Sequence, residues 1–179
     1  MKDLETNRLI LRKLRLEDLE DFYSYAKKTT IGPMAGWSPH LSLAESEYIL
    51  RDMMIKDEVN AIVYKDNNKM IGTLGIHPFA DEEFGRELGF VIDDVYWGRG
   101  LMVELCQEVI KTLFVDGDAK TIYCGHFAHN FRSRRVIEKL NFQLYKVTAD
   151  ERFETYTDKV YLYKLRKENY LGEGDNERF

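Results

Sequence analysis

The sequence predicts an α+β protein built on one mixed sheet, and two patterns carry this prediction. The first is a hairpin, in which strands Ala61 to Tyr64 and Met70 to Ile76 flank a polar turn whose asparagines tolerate left-handed backbone. The second is a strand, helix and strand in succession: Glu87 to Ile92, a helical apolar stripe from Leu101, and Thr121 to Phe127. Such a crossover joins parallel strands, and 179 residues suit one domain.

The N-terminal part of the chain continues this alternation. Arg8 to Leu14 is expected to form a strand, and apolar residues at helical spacing predict a helix from about Glu17 to Lys27. Glycines and prolines interrupt any period between Thr29 and His40, which predicts a loop. Ser42 followed by Glu45 forms a capping box and marks the start of a second helix.

The C-terminal part adds a short helix and two strands. Helical spacing covers Asn130 to Leu140, and strands are expected at Phe142 to Thr148 and Val160 to Leu165. We expect residues 1–171 to form one domain and the polar tail 172–179 to be disordered.

Composition narrows the class of function. The formal charge of −5 disfavours nucleic acid as a partner and mildly favours cationic partners. Neither a signal-peptide core nor a bilayer-spanning apolar run is present in the sequence, so we expect a cytoplasmic protein without membrane contact. Cys106 and Cys124 are expected to be buried free thiols.

A glycine pair joins the Glu87 to Ile92 strand to the helix that follows it. Gly98 and Gly100 flank Arg99 directly before the helical stripe. The first turn of a helix carries unpaired N–H groups, and glycine lets a backbone approach an anion closely. The pattern therefore predicts a phosphate site, although an ordinary turn that needs positive φ would give the same two glycines.

Other ligand classes fit the sequence less well. Cys124, His126 and His129 lack a fourth residue at metal-ligand spacing, so no metal is expected. A dinucleotide turn would need a small residue at Val103, and a phosphate loop of the GxxxxGKS type is absent from the sequence.

Three separated segments resemble the GNAT N-acetyltransferases of the RimJ/RimL type: Leu4 to Arg12, Glu87 to Gly100 and Asn130 to Phe142. The resemblance implies a mixed, mostly antiparallel sheet of about seven strands with helices on both faces. It also implies that the sheet splays at a cofactor cleft between the strands ending at Ile92 and Phe127.

The same resemblance implies acetyl-CoA as co-substrate, with pantetheine on one strand and the diphosphate on the glycine turn. The cofactor-binding residues it assigns are Phe90, Val91, Ile92, Gly98, Arg99, Gly100, Leu101, Met102, Val103, Asn130 and Ser133. Two residues depart from the family pattern, which has a small residue where Met102 stands and glycine where Asn141 stands. Asparagine tolerates left-handed backbone, so Asn141 is an acceptable replacement.

Candidate catalytic residues also follow from the resemblance. Many GNAT enzymes carry a tyrosine at the position of Ile137, and its replacement leaves Ser133 as the candidate proton donor to the leaving thiolate. Glu87 and Glu151 are the candidate bases, with a solvated surface role as the alternative for both. Trp37 is expected either to line the substrate site or to cap the core.

These expectations combine into an acetyltransferase whose acceptor is a primary amine, preferably the α-amine of a peptide or protein. Acidic runs at 81–83 and 93–94 would attract a cationic acceptor. A polyamine, amino acid or amino sugar is the alternative acceptor, and a non-catalytic acyl-CoA sensor is the alternative function. A homodimer is left open.

Overall fold

The computed structural model describes residues 2–149 and 159–174. Its strands follow the hydrogen-bonded order β1-β2-β3-β4-β5-β6-β8-β7, mostly antiparallel. Their bounds are β1 Leu4–Glu5, β2 Leu9–Lys13, β3 Val59–Tyr64, β4 Lys69–Pro78, β5 Gly85–Ile92, β6 Thr121–Phe127, β7 Gln143–Ala149 and β8 Lys159–Arg166. The mixed sheet is as expected, and the two-residue β1 is an addition to the seven strands that the sequence predicts.

Six α-helices accompany these strands in the described residues. They are α1 Leu19–Ala26, α2 Gly32–Ala35, α3 Leu43–Lys56, α4 Leu101–Lys111, α5 Phe131–Lys139 and α6 Lys167–Gly174. The single turn α2 corrects the prediction of an uninterrupted loop from Thr29 to His40. Pro33 fits the first turn of a helix, and Gly36 ends it with φ of 90°. Helix α6 continues into the segment expected to be a polar tail, whose residues 175–179 lie outside the described part.

The chain forms two compact units. Unit 1 contains Met1–Ile76 and Gly89–Glu108, and unit 2 contains His77–Leu88 and Val109–Phe179. Strand β5 and helix α4 each pass from one unit into the other.

Unit 1 is an antiparallel arrangement with α1 and α3 packed together over a shared core. Ser42 begins α3 by accepting a hydrogen bond from the Glu45 N–H at 3.1 Å, as predicted, whereas the Glu45 carboxylate accepts from Leu41 N–H instead of Ser42. Buried residues of this core are Leu14, Phe22, Tyr25, Ala26, Ile31, Leu50, Ala61, Val63 and Met70.

Gly72 brings β4 unusually close to the end of β5. A Cβ atom on Gly72 would lie 2.1 Å from the Val91 carbonyl oxygen and 2.9 Å from Ile92 Cα. The β3–β4 pairing also shifts register here, between Ile62 and Val63. An irregular strand with glycine at the point of closest approach is a recurrent device for bringing two backbones together.

Unit 2 contains the parallel pair that the sequence predicts. The first half of β5 pairs with β6 from Gly85 with Thr121 to Leu88 with Cys124, and β6 pairs antiparallel with β8. The recorded parallel register stops at Leu88, whereas β5 runs on to Ile92 and β6 to Phe127. The predicted crossover is therefore confirmed.

Candidate active site

The glycine turn before α4 is exposed and has an uncommon backbone conformation. Gly98 has φ of 76° and Gly100 has φ of 75°, a region that side chains with a Cβ rarely enter. A Cβ on Gly98 would meet nothing within 4 Å, so the left-handed backbone, and not crowding, is what requires glycine there. Helix α4 then begins at Leu101, and Glu104 N–H donates to the Gly100 carbonyl.

Residues from the start of the chain hold this turn. Arg8 donates from Nε to Glu104 Oε2 at 2.7 Å and from Nη1 to the Arg99 carbonyl at 3.0 Å. Glu104 Oε1 accepts from the Thr6 hydroxyl at 2.6 Å and from the Arg8 backbone N–H at 2.9 Å. Burial raises the pKa of Glu104, but these donors outweigh it and leave the pKa below its usual value.

The first residues of α4 divide between the core and the surface. Leu101 and Met102 are buried, with 2% and 6% of their surface exposed, and Val103 is half-buried. Because the Met102 side chain points into the protein, it does not occupy the exposed side of the turn. The departure from a small residue at this position is therefore compatible with an anion on the turn.

The second half of β5 leads towards the same turn. Phe90, Val91 and Ile92 are each half-buried. Trp97 donates from its indole nitrogen to the Ile92 carbonyl at 2.9 Å, and the Asp93 N–H donates to the Ile71 carbonyl at 2.8 Å. These two hydrogen bonds fix the end of the strand. Nine of the predicted cofactor residues, 90–92 and 98–103, belong to one continuous segment of unit 1.

The two aspartates after β5 share one lysine partner. Lys28 forms ion pairs with both Asp93 and Asp94, and Asp94 also accepts from the Thr30 hydroxyl. Lys28 lowers the pKa of Asp94 to about 2. This pair consequently contributes less to an attractive potential for amines than the sequence suggests.

Trp37 packs against the core of unit 1, together with Val91 and Trp97. Gly32 makes room for it, since a Cβ there would lie 2.6 Å from the Trp37 carbonyl oxygen. The Trp37 indole nitrogen is buried and has no hydrogen-bond partner among the described residues. The core-capping alternative describes its packing, and a contact with substrate stays a prediction.

Helix α5 of unit 2 carries the other two predicted cofactor residues. Asn130 is its N-cap, and the side-chain oxygen accepts from the Ser133 backbone N–H at 3.0 Å. Ser133 is half-buried in the first turn, and Ile137 is fully buried one turn later. Asn141, where the family pattern has glycine, has φ of 61° and so adopts the expected left-handed conformation.

Comparisons with known proteins agree with this architecture. A family model described as "Acetyltransferase (GNAT) domain" matches residues 8–143, well over half of the chain. The chain belongs to the GNAT acetyltransferase family. A Bacillus licheniformis relative named "Uncharacterized N-acetyltransferase p20" is 27% identical, over 96% of this chain and 100% of its own length. This GNAT protein is thus an acetyl-CoA-dependent acetyltransferase.

Solved structures show the same fold. The microcin C7 self-immunity acetyltransferase MccE, in complex with acetyl-CoA and AMP, superposes with a TM-score of 0.79. It is 16% identical, and the match covers 89% of this chain and 93% of that one. RimL, named as a ribosomal L7/L12 α-N-protein acetyltransferase, has a TM-score of 0.78 at 16% identity, covering 92% and 94%.

Of the two candidate bases of this GNAT enzyme, Glu87 lies within the described part of the chain. Glu87 lies half-buried on β5, in register with Tyr123 on β6. Glu151 lies outside the described residues. A third carboxylate, Glu82, accepts from the Tyr123 and Thr121 hydroxyls at 2.7 Å each, and the Tyr123 bond is the main reason that its pKa is lowered.

Metal chemistry finds no support in the described residues. Among residues 2–149 and 159–174, no group of three or more His, Cys, Asp or Glu side chains could hold a metal ion. His126 instead bonds to the Phe127 carbonyl and approaches the Tyr163 hydroxyl at 3.4 Å, and burial lowers its pKa. Within the same described ranges, no helix is long and apolar enough to cross a membrane.

Sequence reasoning missed the residues that support the turn. Thr6 and Arg8 lie in the segment that carries the family resemblance, but nothing local connects them with Glu104, 96 residues beyond Arg8. Gly72 offered a clearer signal, because an isolated glycine within a strand often marks a close backbone approach.

Proposed function

We propose that this chain transfers the acetyl group of acetyl-CoA to a primary amine, with a peptide or protein α-amine preferred. The observation that carries the cofactor part is the exposed left-handed turn at Gly98 and Gly100, which opens directly into the first turn of α4. Backbone N–H groups at a helix N-terminus suit a diphosphate, and the open space at Gly98 leaves room for one.

Residue roles follow from this proposal. The backbone of Phe90 to Ile92 would pair with pantetheine and polarise the thioester oxygen, and the N–H groups of Arg99 to Val103 would hold the diphosphate. In unit 2, Asn130 and Ser133 would contact the cofactor. Acetyl-CoA supplies an acetyl group activated as a thioester.

Two proton transfers remain for side chains. Ser133 would donate a proton to the leaving sulfur, and Glu87 would accept one from the amine, directly or through water. Trp37 would line the acceptor site. An α-amine has an ordinary pKa near 8, so the base needs to give only modest help.

The preference for an α-amine is supported by the similarity to RimL, whose name specifies an α-N-protein acetyltransferase. The similarity to MccE supports a small molecule as the second candidate acceptor, since the MccE structure is a complex with AMP as well as acetyl-CoA.

The test is a screen of the purified protein with radiolabelled acetyl-CoA against peptides, polyamines, aminoglycosides and amino acids. Each peptide is paired with the same peptide carrying a blocked N-terminus, so that labelling of lysine side chains is distinguished from labelling of the α-amine. We expect label on the free peptides and none on the blocked ones. Exclusive labelling of a small amine would refute the preferred acceptor, and no labelling of any amine would refute the activity.

A further inference from the structure

Three hydrogen-bond donors from Thr6 and Arg8 converge on the carboxylate of Glu104. Oε1 takes the Thr6 hydroxyl and the Arg8 backbone N–H, and Oε2 takes the Arg8 guanidinium. The Glu104 side chain is only 22% exposed. All these residues belong to unit 1, and none of them was assigned to the site from the sequence.

The location of Glu104 makes this arrangement relevant to anion binding. Glu104 is the fourth residue of α4, next to the helix terminus whose N–H groups and dipole attract negative charge. A carboxylate there would compete with a phosphate for the same groups and would repel it at short range. Pairing with Arg8 directs the Glu104 side chain towards the start of the chain and offsets its charge.

The same guanidinium also orients the glycine turn. Arg8 Nη1 holds the carbonyl of Arg99, the residue between the two left-handed glycines. Because a peptide unit is planar and trans, fixing the Arg99 carbonyl also fixes the direction of the Gly100 N–H, on the opposite side of that unit. Arg8 therefore orients the turn by its hydrogen bond to the Arg99 carbonyl, and it offsets the charge of Glu104 at the start of α4.

We propose that Arg8 is a positioning residue for the diphosphate of acetyl-CoA. It holds the glycine turn in its binding conformation and offsets the competing charge of Glu104. The inference rests on the proposed cofactor site and adds the residue that keeps that site available.

The experiment measures CoA affinity by titration calorimetry, at a temperature where melting curves show every variant folded. Arg8→Ala removes the guanidinium that offsets the Glu104 charge and holds the Arg99 carbonyl, while the bonds from the Thr6 hydroxyl and the residue-8 backbone N–H remain. Affinity is expected to fall about tenfold or more, as for loss of a hydrogen bond to a charged group. Arg8→Lys keeps the charge but cannot reach both acceptors, and should give an intermediate loss. Arg51→Ala breaks an exposed arginine–glutamate pair on α3 and is the matched control, with unchanged affinity.

Glu104→Gln separates positioning from a general structural role. The proposal expects this variant to bind CoA as well as or better than the wild type, and expects it to restore part of the affinity lost in Arg8→Ala. A purely structural role instead expects Glu104→Gln to weaken binding like Arg8→Ala, which would overturn the inference. Dephospho-CoA keeps the diphosphate and lacks the 3′-phosphate, so Arg8→Ala should weaken it by the same factor. An unchanged affinity for dephospho-CoA would also overturn the inference.

Failure of this inference is distinguishable from failure of the proposed function. Normal CoA binding by Arg8→Ala, with binding by the wild type established, refutes the role of Arg8 alone. Absence of CoA binding by the wild type at millimolar concentration refutes the cofactor site and the role of Arg8 together.

Discussion

Gly72→Ala is the substitution whose effect the structure specifies most directly. The new Cβ would lie 2.1 Å from the Val91 carbonyl oxygen, whereas ordinary contacts begin at 3.4 Å. The three close atoms, Val91 O, Ile92 Cα and Val91 C, all belong to the backbone, so no side-chain rotation relieves the contact. Strands β4 and β5 would have to separate by roughly 1.3 Å, the difference between these two distances.

Such a separation has an energetic cost that can be bounded. Overpacking a buried site typically costs about 1–3 kcal/mol. The 2.8 Å hydrogen bond from Asp93 N–H to the Ile71 carbonyl would stretch beyond hydrogen-bonding distance, which adds about 1 kcal/mol. We therefore expect the free energy of unfolding to fall by about 2–4 kcal/mol, and the melting temperature by roughly 5–15 °C.

Gly89→Ala is the matched control, since Gly89 lies on β5 and a Cβ there meets nothing within 4 Å. Its melting temperature should stay within about 2 °C of the wild type or rise, because alanine restricts the unfolded chain. Thermal and urea unfolding measure stability, and calorimetry below both melting temperatures measures CoA affinity. Gly72→Ala should also weaken CoA binding, because it displaces Val91 and Ile92. If Gly72→Ala has both the stability and the CoA affinity of the wild type, β4 and β5 do not approach each other closely at Gly72.

Three further predictions concern the turn, the proton donor and pH. Gly100→Val should abolish CoA binding while the chain still folds, because a branched residue opposes φ of 75°. If calorimetry shows normal CoA binding by this variant, Gly100 is a turn residue without a role in binding the cofactor. Ser133→Ala should lower kcat more than it raises KM for acetyl-CoA, and equal effects on both constants would make Ser133 a cofactor contact. Burial lowers the pKa of His40 and of His126, so below about pH 6.5 the unfolded chain binds protons that the folded chain does not. Stability should therefore fall as pH drops below that value, by at most about 1.4 kcal/mol per pH unit per histidine, and urea midpoints for His40→Gln should show a shallower dependence.

Periodicity was sufficient for the elements that are long enough to show it. The hairpin with Asn68 at φ of 56°, the crossover through α4 and the left-handed Asn141 all follow from local residue types. Helix α2 has four residues and β1 has two, so neither completes a pattern that could be recognised. Local signals therefore predict most of the fold and fail where an element spans hardly more than one period of its pattern.

In the candidate site too, local features follow from the sequence and long-range contacts do not. Glycines that need positive φ are visible in the sequence, because the requirement is local to the residue. The support of the turn by Arg8 joins residues separated by 91 and 96 positions, and the neutralisation of Asp94 by Lys28 spans 66. Such pairs depend on the tertiary fold, so charge runs in a sequence cannot be assigned to solvent or to a partner in advance.

The ion pairs of Lys28 affect which amine the site would favour. The sequence suggests that acidic runs attract a cationic amine, but Lys28 pairs with Asp93 and Asp94 and offsets one of their two negative charges. Electrostatic attraction near the end of β5 is therefore weaker than two adjacent carboxylates imply, and the protonation state of the amine gains importance. An α-amine has an ordinary pKa near 8, against about 10.4 for a lysine-like amine, so near neutral pH its neutral, nucleophilic fraction is greater by a factor on the order of 10². A site with only a weak base then favours α-amines without recognising the rest of the acceptor. For this reason the activity with a peptide should level off above about pH 8, whereas activity with a polyamine should continue to rise.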